Sequence, residues 1–377
     1  MKRIVVIFLL LALLPLRAMA LEVDGKSALL MEVSTGTVLF EQNPDEPLAP
    51  ASVTKVMTML LIMEAIDSGS ISWEDTVTAS EAAAAKGGSQ VYLKAGETMT
   101  VRDMLKSIAV SSANDCACAM AEHLAGSEAA FVERMNQRAK ELGMENTHFV
   151  NCTGLDDGPE AAEHRTTARD IAIMSRELLL KHPKIKDFTT IWMDTIRDGS
   201  FGLSNTNKLV RFYNGATGLK TGFTSSAMYC LSASAQREDM ELIAVIMGSP
   251  SSGARFSGCK QLLDFGFAGY GVYTPSLPRA AEVPVRLGKA RTVAASLKAE
   301  PILVEKAKRG SITTEFTLEQ ELPAPVEAGQ QIGTLKVLSG EEVLAELPLT
   351  AAEPVEKVTW WDMFLRLLRY ITMSAPE

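Results

Sequence analysis

Histidine is scarce in this chain of 377 residues: His123, His148, His164 and His182 are the only four, and none stands in an H-E-x-x-H or a common Cys/His pair spacing. A zinc centre is therefore not expected, and no metal or other cofactor is called for. Basic residues are in deficit, 37 Lys and Arg against 46 Asp and Glu, for a formal charge of −9. That balance argues against a nucleic-acid partner. Neither apolar end of the chain is long enough to cross a bilayer comfortably: as helices, Ile4 to Leu16 extends about 20 Å and Val358 to Met373 about 24 Å. The five cysteines, Cys116, Cys118, Cys152, Cys230 and Cys259, are odd in number, so an exported chain would leave at least one free or paired between molecules. Cys116 and Cys118 fall on a predicted helix, where side chains two apart diverge, and they read as small buried hydrophobes rather than a bridge.

What is present begins with an export signal over residues 1–20. Lys2 and Arg3 start it, Ile4 to Leu16 is its apolar stretch, and Ala18-Met19-Ala20 is an A-x-A cleavage site. Its removal takes Lys2, Arg3 and Arg17 but no acid, moving the formal charge from −9 to −12. The remainder is too long for one small core, so two domains are expected. Over 21–270, Ala28 to Val33 and Thr37 to Phe40 read as a hairpin around Ser34-Thr35-Gly36. A helix starts at Ser52, and Val101 to Leu124 reads as helical with a break near Ser111 to Asn114. A helix around Thr167 to Lys181 precedes strands at Gly218 to Phe223, Ala227 to Ala235 and Met240 to Met247. Strands at both ends with helices between predict an α/β (α+β) domain, one antiparallel sheet covered by helices. From 271 to 352, short runs at Glu282 to Leu287, Ser311 to Leu318, Thr334 to Leu338 and Val343 to Leu349 predict a small β-rich domain. From 353 to 377 the chain ends in an amphipathic helix with Asp362, Arg366 and Arg369 on one face. It fits the plane of a membrane interface, or alternatively packs on the protein's own core.

Three short motifs carry chemistry. In Ser52-Val53-Thr54-Lys55 the serine and lysine are i and i+3 on a helix, close enough for the lysine to take the hydroxyl proton. Pro50 before the serine favours a helix start, where free backbone N–H groups face bound charge. Ser112-Ala113-Asn114 follows, then Lys220-Thr221-Gly222. Lys220 and Thr221 suit a terminal carboxylate, and Gly222 leaves room for a peptide added along the strand edge. A second S-x-x-K, Ser257-Gly258-Cys259-Lys260, lies after the K-T-G element with nothing downstream to complete it, and is read as accidental.

In this order the motifs resemble the serine penicillin-recognising enzymes. Pro50-Ala51-Ser52-Val53-Thr54-Lys55, Ser112-Ala113-Asn114-Asp115 and Thr217-Gly218-Leu219-Lys220-Thr221-Gly222 look like the D-alanyl-D-alanine carboxypeptidases, the low-molecular-mass penicillin-binding proteins of peptidase family S11, over roughly residues 21 to 350. The resemblance implies a β-lactamase/transpeptidase-like catalytic domain on a β-rich pedestal. It implies a peptidoglycan stem peptide as substrate and β-lactam antibiotics as covalent inhibitors. Ser52, Lys55, Ser112 and Asn114 would be catalytic, with Asn114 donating to the substrate amide and holding Lys55. Lys220, Thr221, Gly222, Phe223 and Arg255 would bind substrate. The backbone N–H groups of Ser52 and Phe223 would form the oxyanion hole, and Arg255 would reinforce the carboxylate pocket unless it is an ordinary surface arginine. His164 also matches a family position, or is a structural histidine. The enzyme would act at the outer face of the cytoplasmic membrane, held there by its C-terminal helix.

Two other functions compete. A class A β-lactamase needs a glutamate in an E-x-x-L-N context between the second and third motifs, and none occurs there. A weakly catalytic wall-peptide binder would not need the complete Ser52, Lys55 and Lys220 set. Cys152, where the family often has proline, and the Phe223 side chain beside the oxyanion site are departures that would alter substrate tolerance.

Overall fold

The computed structural model describes residues 21–277 and 281–371. The expected export signal at 1–20 lies outside the described residues. In the first unit β1 (Ser27–Glu32) and β2 (Val38–Gln42) form the expected hairpin. The helices α1 (Lys55–Asp67), α2 (Val101–Ser111), α3 (Asn114–Ala125), α4 (Glu128–Glu141) and α5 (Ala168–Lys181) follow. Three strands, β3 (Ala216–Thr224), β4 (Met228–Arg237) and β5 (Met240–Ser249), and the long helix α6 (Ser252–Gly269) complete it. The five-stranded sheet has the order β2-β1-β5-β4-β3, and every pair is antiparallel.

Both faces of this sheet are covered. Along β5, alternate side chains point to opposite faces. Ile243, Val245 and Met247 join the core that holds Val56, Met57, Leu60 and Met63 of α1. Leu242, Ala244 and Ile246 join Cys259, Leu262, Leu263 and Phe267 of α6. Each such buried side chain contributes roughly 1.5–3 kcal/mol, which fixes β3, at one edge, relative to α1. All five cysteines are free and buried.

The helix expected to begin at Ser52 opens as a tight 3₁₀ turn, Ala51–Thr54, and becomes α-helical at Lys55. Ala51 has a left-handed φ of 48°, and the turn closes with an i to i+3 bond from Val53 N–H to the Pro50 carbonyl.

The second unit is joined to the first through β6 (Tyr270–Tyr273). It contains β7 (Glu282–Arg286), β8 (Thr292–Leu297), β9 (Ile302–Glu305), β10 (Ile312–Leu318), β11 (Leu322–Pro323), β12 (Gln331–Ser339) and β13 (Glu342–Ala351). Strand β6 pairs with β9, and six of the strands form a sheet in the order β10-β12-β13-β8-β7-β11. Its packing runs past 352, the expected boundary: Val355 is buried with Val283, Val293 and Ile332, and Val358 N–H donates to the Leu287 carbonyl.

The terminal helix, expected over 358–373, is α7 (Trp360–Ile371). Thr359 and Asp362 cap it reciprocally: the Asp362 carboxylate accepts from Thr359 N–H at 2.7 Å, and Thr359 Oγ1 accepts from Asp362 N–H at 3.2 Å. Trp360, Trp361, Phe364, Leu365 and Ile371 are exposed. Among the described residues no helix is long and apolar enough to cross a membrane. The Arg366 side chain and residues 372 and 373 lie outside the described residues.

Candidate active site

The Ser52 turn is gripped by two distant stretches of backbone. A Cβ at Gly154 would lie 1.9 Å from the Ala51 carbonyl oxygen, and Gly154 has φ +81°. A Cβ at Gly222 would lie 2.6 Å from the Pro50 carbonyl oxygen. Only glycine permits either approach. The face of the strand at Gly222 is thus taken by the chain's own turn, while the outer edge of β3 has no neighbouring strand in the sheet.

Lys55 opens α1 directly behind this turn. Its Nζ donates to Ser52 Oγ at 2.9 Å and to the Thr153 carbonyl at 2.7 Å, and the residue is 0% exposed. Burial brings its pKa down from the ordinary lysine value to about 7, against the opposing pull of Cys152 and Asp115. Like charges repel mutually, so Lys55 and Lys220 act on one another, and the effect falls on Lys220 as well. That ammonium is held well below its ordinary pKa by burial first, then by the charges of Lys55 and Arg255.

Ser112 and Asn114 sit at the break between α2 and α3. Ser112 caps α2 in the left-handed region with φ 63°, and α3 restarts at Asn114. The Asn114 amide nitrogen donates to the Gly87 carbonyl at 2.7 Å, while its buried Oδ1 has no partner. The amide nitrogen carries two hydrogens, so one N–H is committed to the 87–93 segment and a second remains. Asp115 fastens the same segment, accepting from Val91 N–H at 3.1 Å and Leu93 N–H at 3.0 Å.

The third motif lies on β3. Lys220 is buried and donates to the Thr221 carbonyl at 2.9 Å, and Thr221 Oγ1 donates to Thr206 Oγ1 at 2.6 Å. Phe223 is 53% exposed, its ring 4.4 Å from that of Tyr229. Arg255 is not a surface arginine. It is 7% exposed and bridges β3 and β4 through Nη1, which donates to the Gly222 carbonyl at 2.8 Å and the Cys230 carbonyl at 3.1 Å. Its buried Nε has no partner. Among the described residues Lys55, Lys220 and Arg255 form no ion pair with a carboxylate, and burial lowers the pKa of all three, so an entering anion would favour their charged forms.

Ser257 and Lys260 of the second S-x-x-K lie exposed on α6, and His164 is buried against Thr54. Sequence reasoning did not anticipate the Thr153 and Gly87 carbonyls or Thr206. The first two act through backbone, which leaves no side-chain signal.

The family described as D-alanyl-D-alanine carboxypeptidase matches residues 15–251, and the C-terminal domain of penicillin-binding protein 5 matches residues 278–357. The D-alanyl-D-alanine carboxypeptidase DacF of Bacillus subtilis is 45% identical over 343 residues, covering 89% of this chain and 86% of that protein. The Escherichia coli carboxypeptidase DacC is 34% identical, with 89% and 85% covered. Among solved structures, penicillin-binding protein 5 of Haemophilus influenzae superposes with a TM-score of 0.78 at 30% identity, covering 89% of this chain and 98% of that one. The S-x-x-K, Ser-x-Asn and K-T-G elements thus stand on a fold shared with a penicillin-binding protein over most of the chain, and the chain belongs to the D-alanyl-D-alanine carboxypeptidases of peptidase family S11, serine hydrolases of the penicillin-binding type.

Proposed function

We propose that Ser52 Oγ attacks the carbonyl carbon of the penultimate D-alanine of a peptidoglycan stem peptide while Lys55 accepts its proton. The observation that carries this reading is the 2.9 Å contact between Ser52 Oγ and a fully buried lysine whose pKa lies at about 7. The tetrahedral oxyanion is met by the backbone N–H groups of Ser52 and Phe223. The C–N bond then breaks, and D-alanine leaves with a proton relayed through Ser112. Lys220 and Thr221 bind the terminal carboxylate, with Arg255 reinforcing them from behind β3. Asn114 donates its remaining N–H to the substrate amide, and its Oδ1 is left to hold Lys55. Water hydrolyses the acyl-enzyme.

A β-lactam acylates the same serine, but its opened ring keeps the leaving nitrogen tethered, and the chain lacks an E-x-x-L-N glutamate to activate water. Penicillin is therefore retained as a covalent adduct, which distinguishes this enzyme from a β-lactamase. Intact-mass analysis tests the assignment: the parent should gain the mass of penicillin, and a Ser52→Ala variant that still gained it would eliminate Ser52 as the nucleophile.

Residues 1–20 direct export and are removed, 21–270 form the catalytic domain, and 271–352, extended by the packing of Val355 and Val358, form the pedestal. The exposed Trp360, Trp361, Phe364, Leu365 and Ile371 support α7 as an interfacial anchor on the outer face of the cytoplasmic membrane.

A further inference from the structure

The Ser52 turn has one side-chain brace that the chemistry above does not use. Thr54 Oγ1 donates to the Ala51 carbonyl at 2.8 Å and lies 2.8 Å from His164 Nε2. The ring's tautomer is set from its other side: Val150 N–H donates to Nδ1 at 3.1 Å, so Nε2 carries the hydrogen. His164 therefore donates to the Thr54 hydroxyl, which passes its own hydrogen to Ala51. The resulting chain of bonds runs from the Val150 amide through the imidazole and the hydroxyl to the residue immediately before the nucleophile. His164 is 4% exposed and Thr54 0% exposed, so water does not substitute for a lost link.

The mount of the ring is fixed on both flanks. Leu48 and Thr166 exchange backbone hydrogen bonds of 2.8 and 3.0 Å, as do His148 and Arg165. The Phe149 ring meets the imidazole edge-on, centroids 5.7 Å apart. At the far end of the chain, Ala51 holds the left-handed φ of 48°, a conformation that costs an L-residue about 1–2 kcal/mol and persists only where its surroundings enforce it.

We infer that His164 is a positioning residue for the acyl-transfer reaction: through Thr54 it holds Ala51 in its left-handed conformation, and so aims Ser52 Oγ at Lys55 and the Ser52 N–H at the oxyanion. This inference rests on Ser52 being the nucleophile. The brace needs a neutral ring, since a protonated Nδ1 would turn a hydrogen towards the Val150 N–H. Burial, together with the charges of His148, Arg165 and Lys55, holds the His164 pKa at about 4, so the ring is neutral at neutral pH.

His164→Phe removes both ring bonds while keeping a planar side chain, and Thr54→Val removes the hydroxyl from the other end. The readouts are the second-order rate of acylation by fluorescent penicillin, kcat and KM on a peptide ending in D-Ala-D-Ala, and thermal unfolding. Misplacing a reacting group by about 1 Å costs on the order of 100-fold, so each variant should lose roughly 10- to 100-fold in acylation and kcat, with KM within about threefold. Because both act through one chain of bonds, the double variant should be no worse than the poorer single one, and Thr54→Ser should recover most of the rate. Should His164→Phe not fold, the comparison of Thr54→Val with Thr54→Ser decides alone. Folded variants that acylate at the parent rate but melt earlier would overturn the inference, as would losses that multiply in the double variant. If Ser52→Ala still takes the penicillin mass, it is the nucleophile assignment that has failed; if Ser52 is labelled and the brace variants are fully active, only the brace has.

Discussion

Lys55→Arg isolates the proton-acceptor role of Lys55, because it preserves a cation on a long stem but introduces a group that does not deprotonate in proteins. The parent lysine sits at a pKa of about 7 through burial, against an ordinary value of about 10.4. At pH 7 about half the molecules therefore hold a neutral amine, whereas an ordinary lysine would supply about one in 2,500. The difference is a factor of about 10³, or about 4.2 kcal/mol at about 1.36 kcal/mol per factor of ten. Arginine forfeits all of it, so acylation by fluorescent penicillin, followed by stopped flow, should fall by at least about 10³-fold. The parent's acylation rate should rise with pH through a single ionisation near 7 and then level off. An arginine variant within about tenfold of the parent, or a parent profile flat from about pH 5.5 to about pH 9, would refute the assignment of Lys55 as base.

Lys220→Ala should lose roughly 100-fold in kcat/KM on D-Ala-D-Ala peptides, since it removes the amine proposed to bind the terminal carboxylate, protonated when that anion is present; near-parent turnover from about pH 6 to about pH 10 would count against that role. Gly222→Ala places a methyl group 2.6 Å from the Pro50 carbonyl oxygen, so it should displace the Ser52 turn and slow penicillin acylation at least about tenfold, and parent-like labelling would show that the turn yields freely. The folded pKa of Lys55 is depressed, so the unfolded state binds more protons between about pH 7 and about pH 10 and this contribution to stability grows as pH rises. The urea midpoint of the parent should accordingly gain on that of Lys55→Met from about pH 7 to about pH 9; a constant difference would contradict it. Ending the chain after Thr359 spares the packing of Val355 and Val358 and deletes α7, so the truncated enzyme should cleave small peptides yet fail to float with liposomes, and flotation equal to the full-length protein would dismiss the anchor.

The motif residues were legible because their chemistry needs particular side chains at fixed spacings: Ser52 and Lys55 three apart, an asparagine after a helix break, a lysine on an edge strand. Strand β5 was legible because a strand buried on both faces demands a nearly unbroken apolar run, here Leu242 to Met247. Strand β8, Thr-Val-Ala-Ala-Ser-Leu, was not, because small residues blur the alternation and its place depends on pairing with β13, far along the chain. The same limit applied inside the site. Which backbone groups Asn114 and Gly222 meet is decided by the Gly87 and Pro50 carbonyls. Neither partner is near in sequence, and both act through backbone atoms that every residue possesses. Arg255 was ambiguous for a related reason: its burial depends on two carbonyls in strands that precede it by more than twenty residues.

The convergence of Gly154 and Gly222 on the Pro50–Thr54 turn means that the reactive serine does not exist as such in any partly assembled chain. The 50–54 turn, the 151–155 loop and strand β3 span about half of the sequence, and until all three dock, Ser52 is an ordinary alcohol beside an ordinary, solvated lysine. Reactivity towards penicillin is thereby a stringent gauge of completed tertiary structure, stricter than helix content, which local segments such as α2 and α6 can retain by themselves. During mild denaturation labelling should vanish before far-ultraviolet circular dichroism changes, and during refolding it should return only after that signal has recovered, so the antibiotic doubles as a conformational probe of the one arrangement in which the enzyme is alive.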